Sequence, residues 1–267
     1  MKSSDRSYPG QLCGRRHTAP ENLVRLIQRQ LKTRGYGSLK INGQFDRATE
    51  SSVRLFQAQH LDRLGKPLRP DGVVGPLTWS SLFVAGKRPA VSRARGLSGL
   101  ALGIASTQVG VLEKPPGSNK GPEVNQYLQS VGIGPGVTDP AHRYWCAAFV
   151  YWCFNGAAES LGIVTPVTRT PGVLKHWRAA KKVEGRTIVR AEILKDPGLV
   201  RPGMIFIHDY GSGLGHTGLV ERVDSSGRLI TVEGNINPEA SSRNGIGVFR
   251  TDRRTIMDDK LVGLIRY

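Results

Sequence analysis

The chain has few cysteines, no long apolar run and no apolar stretch near its start. Its three cysteines are an odd number without the spacing of metal-binding pairs, which excludes a disulfide framework as the main organising device. No run reaches the ~18 apolar residues that a membrane-spanning helix needs. Residues 1–20 contain no apolar segment, which predicts synthesis in the cytoplasm without a secretory signal. A substrate outside the membrane would then require release or delivery of the protein.

Acidic residues are also scarce, since 21 aspartates and glutamates stand against 38 lysines and arginines, for a formal net charge of +17. Residues 1–90 carry 16 basic and 6 acidic residues, and residues 91–267 carry 22 and 15, so both parts are basic. A basic balance throughout indicates a polyanionic partner. Nucleic acid, an anionic cell wall and a membrane surface all meet that condition, and charge alone does not choose among them.

Two related segments, offset by 29 residues, organise the first part of the chain. Each has an Asx-Gly turn, a threonine seven residues later and an apolar residue four beyond it. The equivalent positions are Asn42, Gly43, Thr49 and Val53 in one segment and Asp71, Gly72, Thr78 and Leu82 in the other. With the helical apolar spacing before them, they predict a small all-α domain over residues 21–84. A polar arm, 1–20, precedes it, and a basic linker, 85–97, follows it.

Residues 21–84 resemble the peptidoglycan-binding domain of bacterial and phage wall hydrolases. The most specific part is the string from Asp71 to Trp79. The other positions that carry the resemblance are Leu31, Gly35, Tyr36, Asn42, Gly43, Phe45, Phe56 and Gln57. It implies that the domain binds bacterial peptidoglycan, with Asp71 and Trp79 as candidate substrate contacts. The alternative is that the turn at Asp71 and the ring of Trp79 serve the fold alone.

Along residues 98–267 the pattern changes from helical to strand-like. Helical segments come first, and strands with period-2 alternation follow Pro202-Gly203. The predicted helices are 101–111, 124–131, 146–154 and 172–181, and the predicted strands are 204–208, 216–223, 229–235, 246–250 and 261–267. Helices followed by an antiparallel sheet predict an α+β domain.

A cysteine at a helix start, followed by a histidine and a carboxylate or amide on strands, is the pattern of a thiol hydrolase. Cys146 opens a strongly apolar helical run, and a helix N-terminus stabilises a thiolate. His216 can take the thiol proton and later return it to a leaving amine. Glu233 or Asn235 can fix which imidazole nitrogen faces the sulfur.

The spacing of these residues predicts that they share one face of a hairpin. Residues 224–227 form a turn signal, and pairing of Val223 with Arg228 across it sets a register. In that register the opposed pairs are His216 with Asn235 and Gly218 with Glu233. Because Gly218 has no side chain, Glu233 has room to lean toward the imidazole. A slip of one residue would move the pairing.

Residues 98–267 resemble the CHAP family of papain-like amidohydrolases and peptidases. The resemblance rests on Asn119, Gly121, Trp145-Cys146-Ala-Ala-Phe-Val150, Pro202-Gly203, Gly215-His216-Thr-Gly-Leu-Val220 and Glu233-Gly-Asn235. It implies that Cys146 is the nucleophile and His216 the general base and then acid. It also implies that Glu233 orients the imidazole, a role that Asn235 supplements or replaces.

Trp145, Asn119 and His142 are further candidate substrate contacts, although packing around the helix explains Trp145 and a surface role explains His142 equally well. The acidic calcium loop of some CHAP members is missing from residues 132–144, so neither a metal nor another cofactor is expected. A zinc site formed by Cys146, His216 and Glu233 is the alternative, but no ligand pair has local metal spacing.

The remaining thiols and one histidine have simpler interpretations. Cys153 is predicted to be a buried core thiol on the helix of Cys146, and Cys13 an inert residue of the polar arm. His208 ends a predicted strand near His216. It is either a second candidate base or a residue that lines the cleft or is hydrogen-bonded within the fold.

Together these observations predict a two-domain peptidoglycan hydrolase. Its substrate would be the bond between muramic acid and L-alanine, or an amide of the stem peptide or cross-bridge. The modular build and the charge suggest a monomeric phage endolysin that acts on peptidoglycan and anionic envelope polymers. A delivered antibacterial effector and a non-enzymatic wall-binding or virion structural protein are the alternatives. No basic recognition helix is evident, so a nucleic-acid partner is not expected.

Overall fold

The computed structural model describes residues 7–36, 39–63, 65–83, 96–139, 142–237 and 245–267. The chain divides into two compact units, Met1–Ala90 and Val91–Tyr267. Each unit has its own core of buried apolar side chains. Within the described ranges, none of the helices combines the length and the apolar character that a membrane crossing demands.

The described part of the first unit is built from three helices, α1 (Glu21–Thr33), α2 (Arg47–Gln59) and α3 (Pro76–Phe83). Local signals set where two of them begin. Asp46 caps α2 by accepting a hydrogen bond from the backbone of Thr49, and Pro76 opens α3, where its missing N–H costs nothing. The predicted all-α character of this unit is confirmed.

The two related segments fold as equivalent turns, each held by a buried glutamine. Gln28 Nε2 donates to Asn42 Oδ1 at 3.0 Å, and Gln57 Nε2 donates to Asp71 Oδ1 at 2.9 Å. The same amide groups donate to the hydroxyls of the two equivalent threonines. In return, the backbone N–H of each turn glycine donates to the glutamine Oε1. The glutamines are themselves offset by 29 residues and complete the repeat.

The polar arm is part of this unit rather than separate from it. The backbones of Cys13 and Val74 exchange two hydrogen bonds, of 3.2 and 2.8 Å, and the Cys13 side chain is fully buried in the core. The ring of Tyr8 meets Trp79 edge-on at 6.2 Å. Burial raises the pKa of the Cys13 thiol to about 11, which keeps it protonated and unreactive at neutral pH.

The second unit contains a six-stranded antiparallel sheet in the order β1-β6-β2-β3-β4-β5. The strands are β1 (Thr187–Val189), β2 (Ile205–Gly211), β3 (Leu214–Val223), β4 (Arg228–Ile236), β5 (Gly247–Thr255) and β6 (Leu261–Ile265). Five were predicted. The sequence did not reveal β1, which is too short to show alternation, nor the second half of β5, because residues 251–255 are all polar.

Helices cover the sheet, with α6 at the centre of the packing. They are α4 (Leu97–Thr107), α5 (Pro122–Ser130), α6 (Cys146–Ser160), α7 (Val173–Ala180) and α8 (Arg190–Lys195). Helix α6 contacts α4 and α5 as well as β3 and β4. Cys153 and Phe154 on this helix are fully buried, as predicted for Cys153. The predicted α+β class is confirmed, and the short helix α8 was not foreseen.

The β3–β4 hairpin follows the predicted register at one end and not at the other. Near the turn, Val223 pairs with Leu229 and not with Arg228, so the prediction is wrong there. An irregularity at Glu221 absorbs one residue, and beyond it Leu219 pairs with Val232, as the predicted register requires. The bulge therefore restores the side-chain alternation before the strands reach the candidate site.

Candidate active site

Cys146 is the first residue of α6, and its side chain borders a cleft. The residue is 5% exposed, so the sulfur is reachable from one direction only. The cap residue Trp145 makes no side-chain capping bond. The partial positive charge of the helix start is therefore not offset by a capping side chain, and the backbone N–H groups there face the position of Cys146.

His216 lies on β3 and connects the thiol to a buried carboxylate. Its Nε2 is 2.7 Å from Glu233 Oε2, so Nδ1 is the nitrogen left to serve the thiol of Cys146, which lines the same cleft. Burial lowers the pKa of His216, but the hydrogen bonds to Cys146 and Glu233 outweigh burial, so the pKa is raised. The imidazole can thus hold a proton while the neighbouring sulfur carries a negative charge.

Gly218 makes room for this contact. A Cβ atom at this position would lie 2.8 Å from Glu233 Cγ, closer than real Cβ contacts allow. Any other residue at 218 would push the carboxylate aside. The predicted reason for a glycine here is confirmed.

Glu233 on β4 is fully buried and has partners for both carboxylate oxygens. Thr231 Oγ1 donates to Oε1 at 2.6 Å, and Arg254 on β5 donates to Oε1 at 3.0 Å and to Oε2 at 2.7 Å. Burial would raise the pKa of this carboxyl, but the charges of Arg254 and His216 hold it well below its usual range. Glu233 is therefore ionised at any working pH.

The cleft beside these residues has a volume of about 590 Å³. Its apolar and aromatic lining comes from the segment before α6, from the start of α7 and from the strands, and its charged lining comes from β5 and the β5–β6 connection. The apolar and aromatic members include Tyr144, Pro171, Val173 and Tyr210, and the charged members are Arg253, Arg254, Asp258 and Lys260. Three of these four charged side chains are basic, so the lining is more basic than acidic.

Asn235 also lines the cleft, but it does not replace Glu233 on the imidazole Nε2. It has a left-handed backbone, with φ of 58°, at the end of β4. Its Oδ1 accepts a hydrogen bond of 3.1 Å from the backbone of Gly245. The structure thus places Glu233 in contact with His216 and Asn235 at the rim of the same site.

Trp145 lies in the core beside the site and does not line the cleft. Its side chain is fully buried, packs against Tyr127 and Phe149, and donates from Nε1 to Glu113 Oε1 at 2.8 Å. Burial raises the pKa of Glu113, although this bond and backbone donors oppose the shift. The tryptophan therefore fixes the segment that leads into Cys146.

Asn119 and His142 do not border the cleft either. Asn119 is 1% exposed, and its backbone donates to Glu113 Oε2 and accepts from Arg143 Nε. The side chain of His142 is 75% exposed, and its Nδ1 lies 2.9 Å from Asp139 Oδ2. The structure thus gives Asn119 a role within the fold and His142 a place at the surface.

The two candidate contacts in the first unit also face inward. The carboxylate of Asp71 accepts from Gln57 and from the backbone of Val73, which fixes the turn. Trp79 is 4% exposed and packs against Phe83. Both side chains therefore support the fold in this structure, and the ring of Trp79 is buried, while their contact with peptidoglycan stays a prediction.

His208 lies opposite His216 on β2 and is fully buried. Burial and the nearby charge of Arg254 lower its pKa to about 4, so the ring is neutral at physiological pH. It does not line the cleft. In the described ranges, no group of three or more histidine, cysteine and acidic side chains is arranged to hold a metal ion.

A thiol at a helix start, an imidazole on a strand and a buried carboxylate on the next strand form the arrangement of papain-like thiol hydrolases. Comparison with protein families agrees: residues 138–235 match the CHAP domain and residues 20–82 match a peptidoglycan binding domain. The chain therefore carries a peptidoglycan-binding domain followed by a CHAP domain, a combination that supports a peptidoglycan hydrolase. No curated protein and no solved structure matches the chain.

Proposed function

We propose that this protein is an endolysin-like cysteine amidohydrolase or peptidase that cleaves an amide bond of bacterial peptidoglycan. The observation that carries the proposal is the continuous contact from Cys146 through His216 to Glu233 beside an open cleft. Cys146 is the nucleophile, His216 is the general base and acid, and Glu233 orients the imidazole. Asn235, at the rim, supplements the site.

The first half of the reaction forms a thioester. His216 takes the proton of Cys146, and the thiolate attacks the carbonyl carbon of the amide. Backbone N–H groups at the start of α6 stabilise the oxyanion of the tetrahedral intermediate. As the C–N bond breaks, His216 gives its proton to the leaving amine, and Glu233 keeps the correct nitrogen facing the sulfur.

The second half of the reaction hydrolyses the thioester and frees Cys146. His216, now neutral, takes a proton from a water molecule that attacks the thioester carbonyl. The C–S bond breaks, the new carboxylate leaves, and Cys146 recovers its proton from the imidazolium. Arg253 and Lys260 at the cleft suit a peptide that carries free carboxylates, as peptidoglycan stems do.

The first domain supplies binding to the wall. Attachment to peptidoglycan raises the local concentration of substrate around the CHAP domain without any new contact in the cleft. The net charge of +17 adds attraction to anionic envelope polymers. Because this attraction is electrostatic, it weakens as salt rises.

The decisive experiment is mass spectrometry of purified peptidoglycan after digestion by the wild type, by Cys146→Ala and by Cys153→Ala. Cys153 lies on the same helix but is fully buried, and burial raises the pKa of its thiol well above the usual value. We expect new amino termini with the wild type and Cys153→Ala and none with Cys146→Ala. Free L-alanine termini identify an amidase, and other termini identify an endopeptidase. Digestion by Cys146→Ala would reject the nucleophile.

The endolysin role has its own test, which is expression inside bacteria with and without a membrane-permeabilising protein. We expect rapid lysis only when both are present, because the wall lies beyond the membrane. If the purified enzyme digests walls but co-expression does not lyse cells, the endolysin role is wrong and the delivered-effector alternative is favoured. Binding to walls without digestion would instead indicate a non-enzymatic wall protein.

A further inference from the structure

The buried carboxylate of Glu233 has two cationic neighbours, and the proposed chemistry uses only one of them. His216 accounts for one contact to Oε2. Arg254 occupies both oxygens through Nε and Nη2, at 3.0 and 2.7 Å. A two-point contact of this kind fixes the plane of the carboxylate as well as its charge. It therefore determines where the oxygen that meets His216 is held.

Arg254 is itself held in place on several sides. Its Nη1 lies 3.4 Å from Tyr210 Oη, and its guanidinium carbon lies 5.6 Å from the centre of the Phe206 ring. Its side chain is only 19% exposed. Each guanidinium nitrogen thus has a protein partner, and two of the three contact Glu233, which places Arg254 to support that carboxylate at the border of the cleft.

We propose that Arg254 is a positioning residue of the active site, which aligns Glu233 on His216 and sets the pH range over which the Cys146–His216 pair is reactive. The inference rests on the proposed function. Arg254 lies beyond residues 138–235, the segment that matches the CHAP domain. It comes from the polar half of β5, where the sequence shows no alternation.

The sign of the expected effect follows from electrostatics. Removing a cation makes a nearby cationic acid harder to deprotonate, so the His216 imidazolium keeps its proton to higher pH. The titratable and charged groups around the site are Tyr144 before α6, Cys146 on α6, His208 and Tyr210 on β2, His216 on β3, Glu233 on β4, Arg253 and Arg254 on β5, and Asp258 and Lys260 before β6. The pH profile should therefore move to higher pH as a whole.

The chain offers a matched control in the same strand. Arg250 is 5% exposed, and its Nε lies 2.6 Å from Glu221 Oε2. Arg250 and Glu221 are thus a second arginine–glutamate pair, with the arginine on β5 and the glutamate on β3. Neither residue borders the cleft. Loss of this pair tests whether any damage to β5 would have the same effect.

The test uses the full-length protein as Arg254→Met, Arg254→Lys and Arg250→Met, each compared with the wild type. Two rates are measured against pH: alkylation of Cys146 by iodoacetamide and hydrolysis of purified peptidoglycan. For Arg254→Met we expect both profiles to move up by about one pH unit, with hydrolysis at pH 7 at least about tenfold slower. Arg254→Lys keeps the charge but not the two-point contact, so its profile stays in place while hydrolysis slows.

A loss that is equal at every pH in Arg254→Met, or a shift of the same size in Arg250→Met, would overturn the inference. If Arg254→Met does not fold, Arg254→Lys decides, since an unchanged rate would show that the two-point contact is not needed. The alkylation profile does not depend on peptidoglycan. A wild type that is alkylated normally but digests no wall would reject the proposed function and leave the test of Arg254 valid.

Discussion

The peptidoglycan-binding domain and the CHAP domain both bury polar side chains, but of different kinds. In the first, Gln28 and Gln57 are neutral amides, and each closes a turn with several hydrogen bonds. In the second, Glu233, His216 and Arg254 carry or can carry charge. A neutral amide can be buried once it is hydrogen-bonded, whereas a buried charge also needs its counter-charge. The first arrangement maintains a shape, and the second maintains a reactive protonation state.

The largest effect should follow from Glu233→Gln, which keeps the shape and removes the charge. Arg254 would then be a buried cation without its partner, and the imidazolium would lose its stabilising carboxylate. We expect hydrolysis to fall at least roughly 100-fold and stability by about 3 kcal/mol. Peptidoglycan digestion and urea unfolding measure the two effects. Glu221→Gln, in the pair away from the cleft, should retain digestion, and equal loss in both variants would contradict the comparison.

The next largest effect should come from acidification, which protonates buried groups of the CHAP domain. Burial lowers the pKa of His208 and of His176 to about 4, while both titrate near 6.5 when unfolded. Below pH 6.5 the unfolded chain binds protons that the native state refuses, so stability falls from pH 6.5 to about 4 and then stops falling for this reason. Each histidine contributes up to about 3 kcal/mol.

Calorimetry of the wild type and His208→Phe across this pH range measures that loss. The variant should lose less stability on acidification, because it lacks one of the two histidines whose pKa the fold lowers to about 4. An identical pH dependence in the two proteins would show that His208 is not held neutral by the fold. Below pH 4.5 Glu233 adds a further loss, since its pKa is lowered in the native state.

A smaller effect is expected from Gln57→Ala, which removes one of the buried neutral amides of the peptidoglycan-binding domain. The amide makes three donor bonds and accepts one from Gly72, and the residue is 1% exposed. Its loss should destabilise the first unit by about 2 kcal/mol, because the turn loses its bonds and gains unpaired groups. The chemical step should not change on a soluble muropeptide. Gln44→Ala, at an exposed position, is the control and should leave the unfolding midpoint in place.

The smallest effect should come from chelation. Residues 132–144 contain a single acidic residue, Asp139, and the guanidinium of Arg143 binds the carbonyls of Gly134 and Val137 in this segment. Calcium needs a set of oxygen ligands that includes carboxylates. This segment has one carboxylate, and two of its carbonyls already bind the guanidinium of Arg143. We expect hydrolysis to be unchanged by EDTA or by added calcium. Loss of activity with EDTA that calcium restores would prove this wrong.

The sequence predicted the candidate residues for the chemistry better than it predicted the packing of large side chains. Cys146, His216 and Glu233 were identifiable because a helix start and two strands with period 2 place residues by local rules. The burial of the Trp145 and Trp79 rings could not be predicted from the sequence, because a large aromatic ring can pack in a core or contact a ligand. Only the packing of Trp145 against Tyr127 and Phe149 decides which it does.

The hairpin shows the same limit at the scale of one residue. Counting back from the turn paired Val223 with Arg228, and the strands use Val223 with Leu229 instead. The bulge at Glu221 shifts the register by one residue and so restores the predicted pairing beyond it. No local pattern in the sequence predicts this bulge. It forms where Glu221 pairs with Arg250 on β5, which is a contact between residues 29 positions apart.

The sequence by itself determined the helical repeat, the α+β order of the second domain and the candidate residues for thiol-hydrolase chemistry, because these follow from spacing along one chain. Only the tertiary structure decided that Glu233 and not Asn235 meets His216 Nε2, and that Arg254 completes the buried charges. These choices depend on which strands lie side by side and on the loss of water around them. Both are properties of the folded molecule, since a charge changes its neighbours most where solvent no longer screens it.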